Sequence, residues 1–184
     1  MVSFSQTTKA QFNAGLELAM PLGNFGTAAS FGAGATLGYD YAANDNLSIV
    51  GQAGYIKIFE KAPDRTLDPG ESYSTSMGLI PIQAGVKYYF ADNTNGFYGL
   101  ALVGVHIYKY TSDHTYMSQD YSAYPVITEV KKTDNFDYSG TFVSYAIGAG
   151  YLINEKIDLS VRYNIISSEG SASAYLGIRA AYNF

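Results

Sequence analysis

Cysteine and tryptophan are absent from this chain of 184 residues, and proline occurs only five times. Without cysteine, neither disulfide bonds nor thiolate metal ligands are available. Basic residues are also scarce, since 11 Lys and Arg stand against 16 Asp and Glu and give a formal net charge of −5. Nucleic-acid-binding proteins need a basic face that contacts phosphates, so this charge argues against a nucleic-acid partner.

No apolar run reaches the roughly 18 to 20 residues that a membrane-spanning helix requires. This excludes helical membrane proteins only, because a membrane-spanning β-strand needs about 9–11 residues of alternating polarity. The opening MVSFSQTTKAQF lacks the charged and then apolar regions of an intact signal peptide. We expect residues 1–9 to form a flexible N-terminal segment and residues 10–184 to form one domain.

Glycine and tyrosine are abundant, with 19 and 18 residues, and ten phenylalanines accompany them. Aromatic and β-branched residues favour pleated surfaces, so the composition favours an all-β fold. Alternation of apolar with small or polar residues marks eight segments that we predict to be strands. They are 10–20, 30–42, 47–60, 77–90, 96–111, 137–153, 157–166 and 174–184.

Short polar turns alternate with longer connections along the chain. The stretches ANDN, ADNTN and NEK follow the second, fourth and sixth segments and are rich in turn-forming residues. Longer connections without a helical period follow the first, third, fifth and seventh. This alternation places all short turns at one end, so the sequence predicts a closed, eight-stranded, antiparallel up-and-down β-barrel.

Each segment has one face of large apolar residues and one face rich in glycine. In the seventh, IDLSVRYNI, apolar residues alternate with Asp, Ser, Arg and Asn. A soluble lipocalin-like barrel turns its apolar face inward, whereas an outer-membrane barrel turns it toward lipid. Because an eight-stranded lumen is only just wide enough for side chains, glycines there make room for large charged residues. We therefore predict a transmembrane barrel, although Leu100 and Leu102 fall on the polar face.

Aromatic residues of the apolar face gather near the short turns, as they do in the girdles of membrane barrels. This group comprises Tyr39, Tyr41, Tyr88, Phe90, Phe97, Tyr151, Tyr182 and Phe184. A second group lies toward the longer connections and comprises Tyr55, Phe59 and Tyr110. The first group predicts an aromatic girdle at the membrane–water interface near the short turns.

Eight alternating strands, three tight turns and a last strand ending in AAYNF resemble the small outer-membrane barrels. These are the OmpX-like proteins and the membrane domain of OmpA, including related barrel domains of Bacteroidetes-type bacteria. The resemblance implies a location in the outer membrane of a Gram-negative bacterium, surrounded by outer-membrane lipid. It also implies that the terminal aromatic strand, here ending in Phe184, is similar to the signal read by the assembly machinery.

Six charged residues are predicted to face the lumen and to form a network that plugs it. They are Glu17, Asp40, Lys87, Asp158, Arg162 and Arg179. Counted from the short turns, Glu17 and the two arginines lie at mid-barrel height, with Glu17 between or beside the arginines. The other three form a second layer nearer the turns. Isolated buried charges are costly, so we expect neutralising partners and a coupling between Glu17 and Arg179.

No catalytic, metal or cofactor site is predicted. His106 is expected to face the lumen, and Ser112, Asp113 and His114 are adjacent in sequence, but a catalytic triad is recognised by geometry. The acidic stretch APDRTLDPGES lacks the ligand spacing of an EF-hand. We expect a protein that is not an enzyme and that has no cofactor.

The connection between the fifth and sixth segments is rich in tyrosine, which makes good contact surfaces. Tyr116, Tyr121 and Tyr124 form a candidate partner-contact loop there. A second interpretation, compatible with the first, is that the two strands continue as a hairpin on which these tyrosines pack. The leading hypothesis is a structural or adhesive barrel that acts through its exterior loops. Alternatives are an accessory subunit of a larger complex, with a partner on the barrel wall, a narrow pore, or a lipid-modifying enzyme.

Overall fold

The computed structural model of the chain describes residues 10–61, 72–90, 96–123, 126–168 and 170–184. The elements are β1 (Ala10–Leu22), α1 (Gly23–Ala28), β2 (Ala29–Ala42), β3 (Leu47–Glu60), β4 (Ser72–Tyr89), β5 (Gly96–Ala123), β6 (Val126–Ile153), β7 (Ile157–Ser168) and β8 (Ser171–Asn183). Each strand pairs antiparallel with its neighbour in the chain, and β1 pairs with β8 to close the barrel. The predicted eight-stranded up-and-down barrel is confirmed, while the predicted flexible segment 1–9 lies outside the described residues.

Tight turns join the strands at one end of the barrel, which we call the short-turn end. Between β2 and β3, Asn44 Oδ1 accepts hydrogen bonds from the backbone N–H groups of Asn46 at 3.0 Å and Leu47 at 2.8 Å. Between β6 and β7, Asn154 and Glu155 have positive φ angles of 51° and 59°. Such left-handed residues are typical of tight hairpin turns, so both turns follow from the local sequence.

The opposite end, which we call the long-loop end, differs from the prediction. The β1–β2 connection contains the short helix α1, although its sequence shows no helical period. The β7–β8 connection is only residues 169–170, with Gly170 at a φ of 79°. β5 and β6 continue beyond 111 and 137 because their backbone pairing persists where the apolar alternation has ended. Within the described residues, no helix is long and apolar enough to cross a membrane.

The apolar faces of all eight strands point outward, and the glycine-rich faces line the lumen. Leu16 and Ile147, for example, are 71% and 64% exposed on the outer surface. The predicted aromatic residues near the short turns are also exposed, and several of them pack in pairs. These pairs are Tyr88 with Phe90, Phe97 with Tyr151, and Tyr182 with Phe184, and Tyr39 packs on Phe12.

Tyr110 lies toward the long-loop end, as expected, but it faces the lumen and does not belong to the outer aromatic group. It packs, with Tyr108, against buried residues of the lumen. The reason is strand parity, since alternate residues of β5 share a face and Tyr110 is on the face of the buried His106. Tyr55 and Phe59 of β3 do lie outside, where each is more than a third exposed.

Apolar side chains form two clusters inside the barrel. The lower cluster, toward the short-turn end, consists of Val50, Tyr89, Tyr98, Leu100, Leu102, Ala146 and Leu152. The upper cluster, toward the long-loop end, consists of Ala19, Ala29, Ile56, Ile58, Met77, Leu79, Ile166 and Tyr175. Leu100 and Leu102 therefore face the lumen as their parity requires, and they break the polar pattern because the lumen is partly apolar.

Candidate functional site

All six charged residues that the sequence predicts for the lumen lie there. Glu17 and Arg162 are each 2% exposed, Asp158 is fully buried, and Arg179 and Lys87 are buried as well. Asp40 is partly buried, with 13% of its side chain exposed. The set contains three acidic and three basic side chains, so its formal charges balance.

Lys87 of β4 links two carboxylates in the layer nearer the short turns. Its Nζ lies 2.6 Å from Asp40 Oδ2 of β2 and 2.6 Å from Asp158 Oδ2 of β7. The Tyr98 hydroxyl donates a hydrogen bond to the other oxygen of Asp158, and the Lys87 ammonium lies 5.0 Å from the centre of the Tyr98 ring. One cation thus joins β2, β4 and β7, no two of which are neighbours in the sheet.

Arg162 of β7 forms the second group of contacts, at mid-height. Its Nη2 donates to Glu17 Oε2 at 2.6 Å across the lumen, and its Nη1 donates to Gln52 Oε1 at 2.6 Å. The chain of hydrogen bonds continues from Gln52 Nε2 to Gln83 Oε1 at 3.0 Å and from Gln83 Nε2 to Ser144 Oγ at 3.3 Å. This polar layer therefore connects β1, β3, β4, β6 and β7.

Arg179 does not form the expected contact with Glu17, although the two residues are directly opposite each other in β8 and β1. Its guanidinium instead donates to Thr36 Oγ1 at 2.7 Å and to Asn13 Oδ1. Its Nη1 lies 3.9 Å from Asp158 Oδ2. The side chain is long enough to extend toward the lower layer, while Glu17 reaches across to Arg162. The hydrogen-bonded ion-pair partner of Glu17 is therefore Arg162, and the expected coupling between Glu17 and Arg179 stays a prediction.

Little free space remains around these side chains. Two cavities adjoin the network, each of about 20 Å³, and Lys87, Arg162 and Arg179 line one of them. A cavity needs about 10–15 Å³ of free volume to hold one water molecule. The lumen at this height has room for single waters between the charged side chains.

Two lumen glycines show how large side chains fit into this narrow barrel. A Cβ atom at Gly177 would lie 2.6 Å from Glu17 Oε1, and one at Gly150 would collide with the Tyr98 ring. Both partners belong to the charge network, since Tyr98 binds Asp158 and Glu17 binds Arg162. Glycine at these positions leaves the volume that the network occupies.

Sequence reasoning missed the neutral members of the network, which are Asn13, Thr36, Gln52, Gln83, Tyr98 and Ser144. All of them lie on lumen-facing positions of their strands and are buried or partly buried. Strand parity could have found them, because a polar residue on a buried face needs a hydrogen-bond partner.

The two histidines lie in different parts of the barrel and neither belongs to the charge network. His106 is fully buried in the lumen, where its Nε2 lies 2.9 Å from the Tyr175 hydroxyl. Ser112 and His114 share one face of β5, whereas Asp113 faces the other side, so the three adjacent residues do not converge. In the described part of the chain, no group of three or more His, Asp or Glu side chains is arranged to hold a metal ion.

β5 and β6 extend far beyond the other strands, and we call residues 108–123 and 126–142 the protruding hairpin. At about 3.4 Å per residue, its β5 arm is on the order of 50 Å long. β4 accompanies β5 as far as the pair Ser72–Thr115. β7 leaves β6 at the pair Val143–Ser167, so no strand of the described residues covers that edge of β6 from 126 to 142.

The protruding hairpin has one aromatic face and one polar face. On the aromatic face, Tyr108 packs against Tyr138 and Tyr110 against Phe136, with ring centres 6.2 and 6.4 Å apart. The opposite face carries charged and polar residues, namely Lys109, Thr111, Asp113, Thr115, Lys131, Thr133, Asn135 and Asp137. The lumen-facing side of the barrel wall therefore continues above the rim as an aromatic surface.

The tyrosines of the predicted contact loop are located only in part. Tyr116 lies on the aromatic face beside His114, with ring centres 5.2 Å apart. The carboxylate of Asp134 raises the pKa of the nearby Tyr116 phenol. Tyr121 belongs to β5, and Tyr124 lies outside the described residues. The two strands do continue as a hairpin in this region, and the contact role of the tyrosines stays a prediction.

Comparisons with known proteins identify the kind of barrel. The sequence model of the family described as "Outer membrane protein beta-barrel domain" matches residues 1–184. A sequence search against curated proteins found no match.

Solved outer-membrane barrels share the fold at low sequence identity. Ail, the attachment invasion locus protein of Yersinia pestis, is 12% identical with a TM-score of 0.62, and the alignment covers 96% of this chain and 99% of Ail. The N-terminal barrel domain of Pseudomonas aeruginosa OprF is 11% identical with a TM-score of 0.52, covering 96% and 100%. Neisserial surface protein A is 16% identical with a TM-score of 0.51, covering 95% of each chain.

Proposed function

Since this chain belongs to the outer membrane protein β-barrel domain family, we propose that it is a non-enzymatic surface protein. Its lumen does not let solutes pass through the membrane, and its protruding hairpin makes contacts outside the cell. The protein lies in the outer membrane of a Gram-negative bacterium, and its apolar outer faces contact lipid. Such barrels have short periplasmic turns and longer exterior loops, so the protruding hairpin is on the exterior side.

The length of the protruding hairpin is the observation that carries the surface role. β5 and β6 have 28 residues each, whereas β1 and β8 have 13. The additional residues lie above the apolar belt, so they are not needed to cross the membrane. An aromatic face beside an uncovered strand edge suits contact with an extended segment of another protein, which can add to the edge through backbone hydrogen bonds.

The closed lumen is supported by the network of Lys87, Arg162 and their partners. Eight strands enclose a lumen that side chains can fill, and here the side chains that cross it are held by opposite charges. We expect no steady single-channel conductance when the purified protein is reconstituted into planar bilayers. Large and stable current steps would contradict the closed lumen and favour the narrow-pore hypothesis.

The placement of the two histidines supports a non-enzymatic role. His106 is bonded to Tyr175 inside the lumen, and Asp113 faces away from Ser112 and His114. We further propose that β8 is the strand recognised by the assembly machinery. Phe184, the residue that follows β8, is 75% exposed. Its backbone N–H donates a hydrogen bond to the Phe12 carbonyl of β1 at 2.9 Å, where the barrel closes.

Photocrosslinking in intact cells tests where the protein meets its partner. A crosslinking amino acid at Phe136 lies on the aromatic face of the protruding hairpin, and one at Ile147 lies on the lipid-facing wall of the same strand. We expect protein adducts at Phe136 and none at Ile147. Adducts only at Ile147, together with isolation of a stable complex in mild detergent, would favour the accessory-subunit hypothesis. Adducts at neither position would contradict a contact role for the hairpin.

A further inference from the structure

We propose that the upper lumen holds a binding site for a small, uncharged and largely apolar molecule that enters from the exterior. A cavity of about 370 Å³ occupies this part of the barrel, in contrast to the cavities of about 20 Å³ beside the charge network. Small-molecule sites usually measure about 300–1,000 Å³, are concave and are mostly apolar with a few polar groups. We call this space the vestibule.

The walls of the vestibule are apolar. Met77 and Leu79 of β4, Phe142 of β6 and Ile166 of β7 contribute to them, and Phe25 of α1 lies at the upper margin. α1 is held in place by Lys61, whose Nζ donates to the Gly26 carbonyl at 2.7 Å. No Asp, Glu, Lys or Arg side chain of the described residues lines the vestibule. A charged ligand would therefore lose its hydration without gaining a partner.

His106, at the floor of the vestibule, has one buried hydrogen-bonding atom without a partner in the described part of the chain. His106 lines the cavity, and its Nε2 is engaged by the Tyr175 hydroxyl at 2.9 Å. Its Nδ1 is buried and has no hydrogen-bond partner among the described residues. A buried polar atom without a partner is costly, so a ligand with one hydroxyl or similar group is favoured there. This combination selects an apolar body with a single hydrogen-bonding group, such as an alkylphenol.

The route into the vestibule leads from the exterior. The wall strands are paired around the barrel up to the pair Val143–Ser167, which closes the lower part of the vestibule toward lipid, and the charge network lies below. The rim includes the uncharged polar residues Ser168, Ser171 and Ser173. Tyr138 lines the vestibule and also belongs to the aromatic face of the protruding hairpin, so the two surfaces are continuous.

Nuclear magnetic resonance of isotope-labelled histidine tests the site directly, because the chain has only two histidines. The full chain is reconstituted in lipid nanodiscs and titrated with para-butylphenol at constant lipid concentration. We expect a saturable shift of the His106 ring nitrogens, whereas His114, which lies on the protruding hairpin, keeps its position. The variant His114→Asn assigns the two signals. A shift that grows without saturation, or that affects both histidines equally, would overturn the proposal.

Two adjacent substitutions on β8 separate the vestibule from general effects of lipid. Ser173 lines the vestibule, and Ala172 is exposed on the opposite face of the same strand. Filling the cavity by Ser173→Phe should weaken para-butylphenol binding by more than about tenfold, whereas Ala172→Phe should change it by less than about twofold. Heat-modifiable mobility on gels verifies that both variants remain closed barrels. Unchanged binding by a folded Ser173→Phe protein would contradict the proposed location.

A comparison of probes needs no variant and tests the chemical class. The anion para-butylbenzoate has the same apolar body, but its carboxylate finds no cation in the vestibule. We expect it to leave the His106 signal unchanged at concentrations that saturate the para-butylphenol shift. An equal response to the anion would overturn the preference for uncharged molecules. No response to either probe would indicate that water or the protein's own chain fills the space and would overturn the site.

Discussion

Between the short-turn end and mid-height, the lumen is crossed by Lys87, Arg162 and Tyr98, which meet carboxylates on other strands. Above His106, the aliphatic side chains of Met77, Leu79 and Ile166 line the wall around an open vestibule. Glycines occur on lumen positions in both regions, so they do not cause the difference. The difference lies in the reach of the other side chains, because long charged residues cross the lumen and pair while shorter aliphatic residues stay at the wall. One barrel thereby has a closed half and an accessible half.

The two regions should also respond differently to mutation. Removing one partner of a buried ion pair leaves the other charge without compensation, which is strongly destabilising. An apolar side chain at the margin of an open cavity has fewer contacts to lose. The lower network should therefore determine the stability of the barrel, and the vestibule should tolerate change.

Lys87→Met is expected to have the largest effect. The substitution leaves the carboxylates of Asp40 and Asp158 without the ammonium that lies 2.6 Å from each. We expect a loss of about 3–5 kcal/mol in the free energy of unfolding, as for other broken buried pairs. Urea unfolding in a fixed lipid mixture, followed by gel mobility, measures the change. The double variant Lys87→Met, Asp158→Asn should recover part of this loss, and no recovery would contradict the pairing.

Two leucines compare the regions by the same substitution. Leu102 belongs to the lower cluster and is 6% exposed, whereas Leu79 belongs to the upper cluster, is 1% exposed and lines the vestibule. Each change to alanine should cost about 2–4 kcal/mol, and the loss at Leu79 should be the smaller because one side of this residue faces the open vestibule. Leu16→Ala, on the lipid-facing wall, serves as the control for a leucine outside the lumen. A larger loss at Leu79 than at Leu102 would contradict the proposed difference in packing.

Double-mutant cycles resolve which arginine neutralises Glu17. The ion pair with Arg162 at 2.6 Å predicts a coupling energy of about 1–3 kcal/mol between Glu17→Gln and Arg162→Met. The cycle with Arg179→Met should give a smaller coupling energy, because these two side chains interact through their charges without a direct hydrogen bond. Equal coupling in both cycles would mean that Glu17 interacts with both arginines alike.

The barrel architecture could be predicted from the sequence because the period of two is visible on nearly every strand. The same period places Glu17, Arg162 and Arg179 on the lumen side, and barrel closure puts Glu17 opposite Arg179. Which partner each side chain chooses could not be predicted, since Arg162 and Glu17 meet across the lumen from strands that are not neighbours. That contact depends on barrel diameter and rotamers, which a one-dimensional pattern does not contain.

The long-loop end was less predictable for a different physical reason. Above the apolar belt both faces of a strand meet water or other loops, so the alternation that marks a strand disappears while backbone pairing continues. The predicted ends of β5 and β6 at 111 and 137 fall where Lys109 and Asp137 replace the outward apolar residues. The vestibule could not be predicted from the sequence either, because the cavity exists only where side chains are too short to contact each other across the lumen.

A matched pair of serines gives the smallest expected effects and the finest test of the two regions. Ser144 is fully buried in the polar layer and accepts a hydrogen bond from Gln83 Nε2 at 3.3 Å. Ser144→Ala leaves that amide without its acceptor and should cost about 1 kcal/mol. Ser173 lies at the rim of the vestibule, where water can replace its hydroxyl, so Ser173→Ala should change the free energy of unfolding by less than about 0.5 kcal/mol. Urea unfolding under identical conditions compares the two variants. Equal losses would mean that the rim is packed as tightly as the polar layer, which would leave no accessible half for a ligand to enter.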